Sequence, residues 1–214
     1  MLQVDADTIL TPAARDAAKQ YGIEVVVGRS STSVQVQSQV SGVQLIPPRD
    51  PKSSNAGTVV ALGADHGGFV LKTVLAKQLG EWGYTVVDVG TSSEQPCDYP
   101  DFAFAVAALV SRGQAVRGVM IDSVGVASAI VANKVPGIRA VCCSNEFTAK
   151  SSREHNDANV LTLGGKVLGT ELAKSILKVW LETWFGGGRH QNRIRKIAEI
   201  EERFLLKPTS HQSE

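Results

Sequence analysis

Asp65 and His66 stand side by side in GADHGG, residues 63–68. A carboxylate can hold or release a proton and an imidazole exchanges one near neutral pH, while flanking glycines let a ligand approach the backbone. The same Asp can equally cap a turn. His155 and Asn156 form a second pair in SREHNDANV. Ring nitrogen and amide are the groups a sugar oxygen would need, although a surface histidine closing a helix is the plainer alternative. In GGGRHQNRIRKIAEIEERF, Arg189 and Arg193 flank His190 and are four residues apart. That spacing puts two guanidinium forks on one helical face, where they can close on one phosphate. The alternative is a solvated helix with ion pairs to Glu199 and its neighbours. Lys166, just after two glycines, is a further candidate cation. Residues 122–128, DSVGVAS, follow the apolar run VMI and lead into a helix-like stretch. A glycine-containing loop entering a helix is a ready anion or oxyanion cradle. It matches neither GxGxxG nor the Walker pattern, and Asp122 is equally suited to capping that helix.

The elements that must position these residues are legible from periodicity. Residues 58–63, 85–89, 118–121, 139–142 and 160–163 read as strands, and 69–82 has helical spacing. Strands alternating with helices imply right-handed βαβ units and a parallel sheet with helices on both faces. The expected fold class is therefore α/β, a Rossmann-like parallel sheet of about five strands with a short N-terminal extension. Ligands in such sheets bind beyond the carboxyl ends of the strands. The loops expected there are 63–68, 90–101, 122–128 and the segment around 154–157. Upstream, residues 11–21 suit a short helix, with Thr11 as cap, Pro12 at its first position and Gly22 past its end, and residues 23–27 suit a strand. Residues 28–57 shift to Ser, Gln, Val, Pro and Gly, which is linker chemistry. The organisation expected is an extension and linker over 1–56, one catalytic-size domain over 57–207, and a flexible tail over 208–214.

The bulk composition narrows the function classes. The chain has 214 residues, 43% hydrophobic and 20% charged, with a formal net charge of +1. That balance offers no field for binding nucleic acid or an anionic membrane over the whole surface, so any anion site must be local. Cys97, Cys142 and Cys143 are odd in number and lack metal-ligand spacing, which suits a reducing, cytoplasmic compartment. The first residues lack the basic and apolar regions of a signal peptide, and no apolar run is long enough to span a bilayer. The fingerprint loop of a dinucleotide-binding fold is absent.

Taken together, GADHGGFVLK, GTSSEQPCDYPDFA, ANKVPGIRAVCC, SREHNDANVL and GGRHQNRIRKI closely resemble the ribose-5-phosphate isomerase B and galactose-6-phosphate isomerase family, over about residues 58–205. The resemblance implies an aldose-ketose isomerase of a phosphorylated sugar, working through a cis-enediolate with no metal or organic cofactor. It implies that His155 opens the sugar ring and that Asn156 with the 122–127 loop, Ser123 and Gly125 included, steadies the enediolate. It implies that Asp65 touches ring or chain hydroxyls, that Tyr99 is an aromatic wall, and that His66, Lys166, Arg189 and Arg193 bind phosphate. It also implies a homodimer or homotetramer, with each site completed by a second subunit.

Departures from the family pattern are concentrated in one loop. Where the family reads Cys-Gly-Thr-Gly-Val-Gly, this chain has Asp122, Ser123, Val124, Gly125, Val126 and Ala127. The usual Cys base is gone, and the Glu that another branch uses six residues later is Ser128 here. Asp122 is therefore the expected base, since burial beside a neutral sugar raises a carboxylate pKa. A catalytically altered or inactive sugar-phosphate binding protein is the competing expectation. Lys166 stands where the family usually has Arg, keeping the charge without the bidentate fork. The N-terminal segment DADTILTPAARDAAKQYGIEVVVG is similar to short segments in proteins of bacterial microcompartment operons, which implies a shell or cargo partner through residues 1–28.

Overall fold

A computed structural model describes residues 2–5, 25–28, 55 and 57–205 of the chain. The chain divides into two units, Met1–Gly42 and Val43–Glu214. In the first, β1 (Leu2–Asp5) pairs in parallel with β2 (Val25–Gly28). The strand expected over 23–27 is thus found at Val25–Gly28 among the described residues. β1, whose Leu-Gln-Val-Asp alternates apolar and polar residues over only four positions, is not among the strands expected from the sequence. The helix expected over 11–21, most of the 28–57 linker and the 208–214 tail lie outside the described residues.

The second unit alternates strands and helices throughout. Its elements are β3 (Val59–Ala64), α1 (Phe69–Glu81), β4 (Thr85–Asp88), α2 (Tyr99–Ser111), β5 (Arg117–Asp122), α3 (Val126–Ala132), β6 (Ala140–Cys142), α4 (Glu146–Asn156), β7 (Val160–Gly164), α5 (Thr170–Glu182) and α6 (Arg189–Leu205). The five strands form one parallel sheet in the order β4-β3-β5-β7-β6, in register with Ala64 beside Ile121 and Asp122 beside Gly164. Such an order needs a crossover between each pair of strands, and the helices provide it. The family-like α/β expectation therefore holds strand by strand, with bounds shifted by a residue or so.

Burial on both faces explains why the central strands are continuously apolar. On one face Val60, Leu62, Val119, Ile121, Leu161 and Leu163 pack with Leu71, Leu75 and Leu79 of α1, Ala149 of α4, and Ile176, Leu177 and Trp180 of α5. The i, i+4, i+8 spacing of the three α1 leucines is what turns that helix to the sheet. On the other face Ala61 and Val160 meet Val106 and Ala107 of α2 and Ala132 of α3. Close approach of α2 depends on Gly63 and Gly118. A Cβ on either would stand 2.7 Å from a Val106 methyl. Among the described residues no helix is long and apolar enough to cross a membrane.

Chain direction sets where ligands can gather. From β3 the chain places β4 on one side and then β5 on the other, so the strand order reverses between β3 and β5. A crevice beyond the carboxyl ends of those two strands is the favoured binding place in an open α/β sheet.

Candidate active site

Asp65 directly follows β3, and Asp122 is the last residue of β5, so the two carboxylates are neighbours at the point where the strand order reverses. The Asp65 N–H donates to Ile121 O at 3.2 Å, which joins the two strand ends. Asp65 is 5% exposed and Asp122 4%. Their surroundings differ sharply.

Asp65 Oδ1 accepts N–H bonds from Gly67 at 2.9 Å and Gly68 at 3.1 Å, and no hydrogen bond among the described residues reaches its Oδ2. Burial raises its pKa above the ordinary carboxylate value. The two N–H bonds and His66 pull the other way, and the charge of Asp122 adds to the rise. Glycine is required next to it by space. A Cβ on Gly67 would run into Ser123 Oγ, and one on Gly68 into Ile121 O.

Asp122 is saturated. Its Oδ1 accepts from Val124 N at 2.7 Å and from Gly125 N, and its Oδ2 accepts from Ser128 N at 3.0 Å and from the Ser128 hydroxyl. Burial opposes the charged form here too, but these four donors outweigh it and hold the pKa below the ordinary value. A carboxylate has about four lone-pair directions, and all four are in use. This geometry weighs against the expectation that Asp122 is the base, because each of its acceptor directions already takes a donor from the loop or from Ser128. The cap role fits instead. Of the N–H groups in the 122–127 loop expected to serve as an oxyanion cradle, those of Val124 and Gly125 are engaged by the chain's own Asp122 carboxylate. Gly125, at φ +88° and buried, has its carbonyl occupied as well, by the Thr162 hydroxyl at 2.7 Å.

The remaining residues at this end are placed by the neighbouring loops. His66 Nδ1 lies 3.2 Å from Cys97 N and 3.1 Å from Cys97 O, so the 90–101 loop fixes the ring's rotation and leaves Nε2 for a ligand. Cys97 was not singled out from the sequence, and nothing in its spacing signals this contact. Tyr99, half-buried, is the first residue of α2. Ser123 is half-buried and its carbonyl accepts the Lys166 N–H at 3.0 Å, while Gly165 N donates to Asp122 O at 2.7 Å. Lys166 is thereby tied by its backbone to the Asp122 loop, with its side chain exposed.

His155 and Asn156 are not at this end. α4 leaves the carboxyl end of β6 and returns to the amino end of β7, so its last turn lies at the opposite edge of the sheet. The expectation that 154–157 joins the carboxyl-end loops is corrected accordingly. At about 3.3 Å per strand residue, the length of β7 alone separates the two ends by roughly 13 Å. Around His155 a second group of chemistry-bearing residues forms. Its ring stacks on His190 of α6, with centroids 4.4 Å apart and planes at 9°, and its Nδ1 is 3.1 Å from Ser151 Oγ. Arg189 and Arg193 flank His190 on the same helix and are exposed. Partial burial, His155 and these two arginines all hold the His190 pKa below its usual value.

A buried ion network fixes that helix end. Arg153, 1% exposed, donates to Asp157 Oδ1 at 2.7 Å and to Ala158 O at 2.5 Å, and its guanidinium lies 5.8 Å from the Trp180 ring centre. Arg139 closes on the same carboxylate at 2.9 Å and on Asn156 O and Asp157 O. Asp157 itself ends α4 in the left-handed region at φ 47°. Arg117, buried nearby, has its pKa lowered to about 9 by desolvation and by Arg153. Arg153 and Asp157 bracket His155 and Asn156 at i, i+4 spacing, a signal that was readable but was passed over for the histidine between them.

The family model described as Ribose/Galactose Isomerase matches residues 60–197. A ribose-5-phosphate isomerase B of Escherichia coli is 47% identical over 144 residues, covering 67% of this chain and 97% of that protein. A solved ribose-5-phosphate isomerase B from Clostridium thermocellum is 48% identical at a TM-score of 0.68, covering 69% of this chain and 99% of that one. Another, from Mycoplasma genitalium with bound ribulose-5-phosphate, is 36% identical at a TM-score of 0.66, covering 69% of this chain and 98% of that one.

Proposed function

The chain belongs to the ribose/galactose isomerase family, and on that premise we propose that it interconverts an aldose phosphate and a ketose phosphate, with ribose 5-phosphate and ribulose 5-phosphate as the first substrates to test. The observation that carries this reading is that one family match, over residues 60–197, takes in both ends of the sheet. It encloses Asp65 and His66 at the carboxyl edge and His155, Asn156, Arg189 and Arg193 at the amino edge. Pentose phosphates fit because a solved relative was captured with ribulose-5-phosphate.

Neither edge has a full set of groups for the reaction. Among the described residues, the carboxyl edge has the Asp65 and Asp122 carboxylates, His66 and Lys166, while the amino edge has the stacked imidazoles of His155 and His190 and the guanidinium forks of Arg189 and Arg193. A two-fold dimer presenting the amino edge of one copy to the carboxyl edge of the other completes two sites at once. In such a site His66 and Lys166 from one chain and Arg189 and Arg193 from its partner close on phosphate by charge-assisted bonds. His155 protonates the ring oxygen as the ring opens, and Asn156 and Ser123 hold sugar oxygens beside the Tyr99 wall.

A coupled assay on ribose 5-phosphate and on hexose 6-phosphates, run beside a binding titration, tests the reading. Turnover on any of them supports the isomerase. Tight binding without turnover supports the inactive binding protein, which the engagement of the Val124 and Gly125 N–H groups by Asp122 favours. Residues 1–28, with no counterpart in the matched region, are assigned to targeting or assembly with a microcompartment shell or cargo. A chain beginning at Val43, the start of the second unit, should then retain turnover.

A further inference from the structure

Two adjacent carboxylates stand where the strand order reverses, and only one has a lone pair to offer. Asp122 has donors on all sides, from Val124, Gly125 and twice from Ser128. Asp65 has two, both on Oδ1, which lock its orientation, and among the described residues its Oδ2 accepts nothing. We propose that the Asp65 carboxylate, through Oδ2, is the proton-transfer base of this chain, and that Asp122 is its positioning partner.

This rests on the isomerase reading and names the group that performs it. Carboxylates whose environments push their pKa values apart divide into one that titrates and one that stays charged. Here burial and the fixed charge of Asp122 make Asp65 the more basic of the two. The charged groups acting on it are His66 on its own loop and Asp122 at the end of β5. Asp122 in turn closes the loop entering α3, and through its carbonyl it holds Gly165 beside the Gly67 and Gly68 turn. The substitutions at the loop then form one set. Asp122 fills the cradle, Ser128 supplies its fourth donor, and proton transfer passes to the neighbouring strand end.

The step balances without any oxidant or reductant. From the aldose, the C2–H bond breaks, its proton goes to Asp65 Oδ2, and the electron pair forms C1=C2 as the C1=O1 π pair moves onto O1, giving the cis-enediolate. The proton on O2 passes to O1, C2=O forms, and the C1=C2 pair takes back the proton from Asp65 at C1.

Asp65→Asn keeps the acceptor for the Gly67 and Gly68 N–H groups and removes the base. Turnover should fall about 100-fold or more, the usual range for loss of a general base, while ribose 5-phosphate binding stays within a few-fold. Loss of deuterium from C2-deuterated ribose 5-phosphate should fall in parallel, and Asp65→Glu should recover part of the rate. Asp122→Asn removes the neighbouring charge, so the acidic limb of its kcat/KM profile should move to lower pH. An Asp65→Asn variant that turns over like the parent overturns the proposal. So does an Asp122→Asn variant that loses deuterium exchange as completely as base removal would while its acidic limb stays in place. Parent enzyme with no turnover and no exchange on four- to six-carbon sugar phosphates overturns the isomerase reading itself, before any variant is compared.

Discussion

If each site joins the carboxyl edge of one chain to the amino edge of another, two crippled variants should repair each other. Asp65→Asn damages only the first edge and His155→Ala only the second. In a homodimer of either variant both sites are impaired. In a mixed dimer the lesions segregate, so that one site receives both and the other neither. Random re-association of equal amounts makes half the dimers mixed, each with one intact site of two, so about a quarter of the parent activity returns. The separation of at least about 13 Å along β7 is what forbids the alternative. Were the site built within one chain, every site in the mixture would carry a lesion. The two variants should be mixed, dissociated in mild denaturant, returned to buffer and assayed for ketose formation, beside each variant treated alone. Activity no greater than the sum of the separate residual rates would refute the two-chain site.

Other outcomes follow from single contacts. Asp122, whose pKa is depressed in the folded state, contributes stability above the unfolded carboxylate value and loses it as pH falls through the folded one. Thermal unfolding of Asp122→Asn should therefore lie below the parent at neutral pH, with the gap closing as pH drops past about 4. A gap constant across pH would mean that shape rather than charge matters there. Gly67→Ala places a methyl against Ser123 Oγ and should cost about 1–3 kcal/mol, as overpacking does, with part of the loss recovered by adding Ser123→Gly. Additive losses in denaturant titrations would show that the two residues do not touch. Arg193→Ala should weaken sugar-phosphate binding roughly tenfold or more, since a charge-assisted hydrogen bond contributes about 1.5–3 kcal/mol. Unchanged affinity by calorimetry would return the residue to the solvated face of α6.

Local pattern was sufficient for much of the second unit. The apolar runs before Asp65 and Asp122, the leucines at 71, 75 and 79, and the glycines at 67 and 68 state their elements within a few neighbouring residues. Periodicity and steric demand act over that range. Residues 2–5 carry the alternation Leu-Gln-Val-Asp, but over four positions and without the strand-helix alternation that frames the short β4 and β6 it is a weak signal. The residue types for sugar-phosphate chemistry were also legible, since imidazole, carboxylate and guanidinium can be recognised wherever they occur.

Two matters were decided only by tertiary structure. The first is which end of the sheet a motif occupies. The run EHND looks like a loop motif in one dimension, but α4 must reverse direction before β7 can pair in parallel, and that reversal carries His155 to the edge away from Asp65. The second is whether a carboxylate is available. Asp65 and Asp122 read alike, each at a strand end before glycine and a helix. Only the folded loop shows that Ser128, six residues on, comes back to fill the last acceptor on Asp122, while nothing among the described residues reaches Oδ2 of Asp65. Sequence names the groups and their local geometry, but hydrogen-bond saturation depends on where donors from other turns arrive, and that is settled only when the chain has closed on itself.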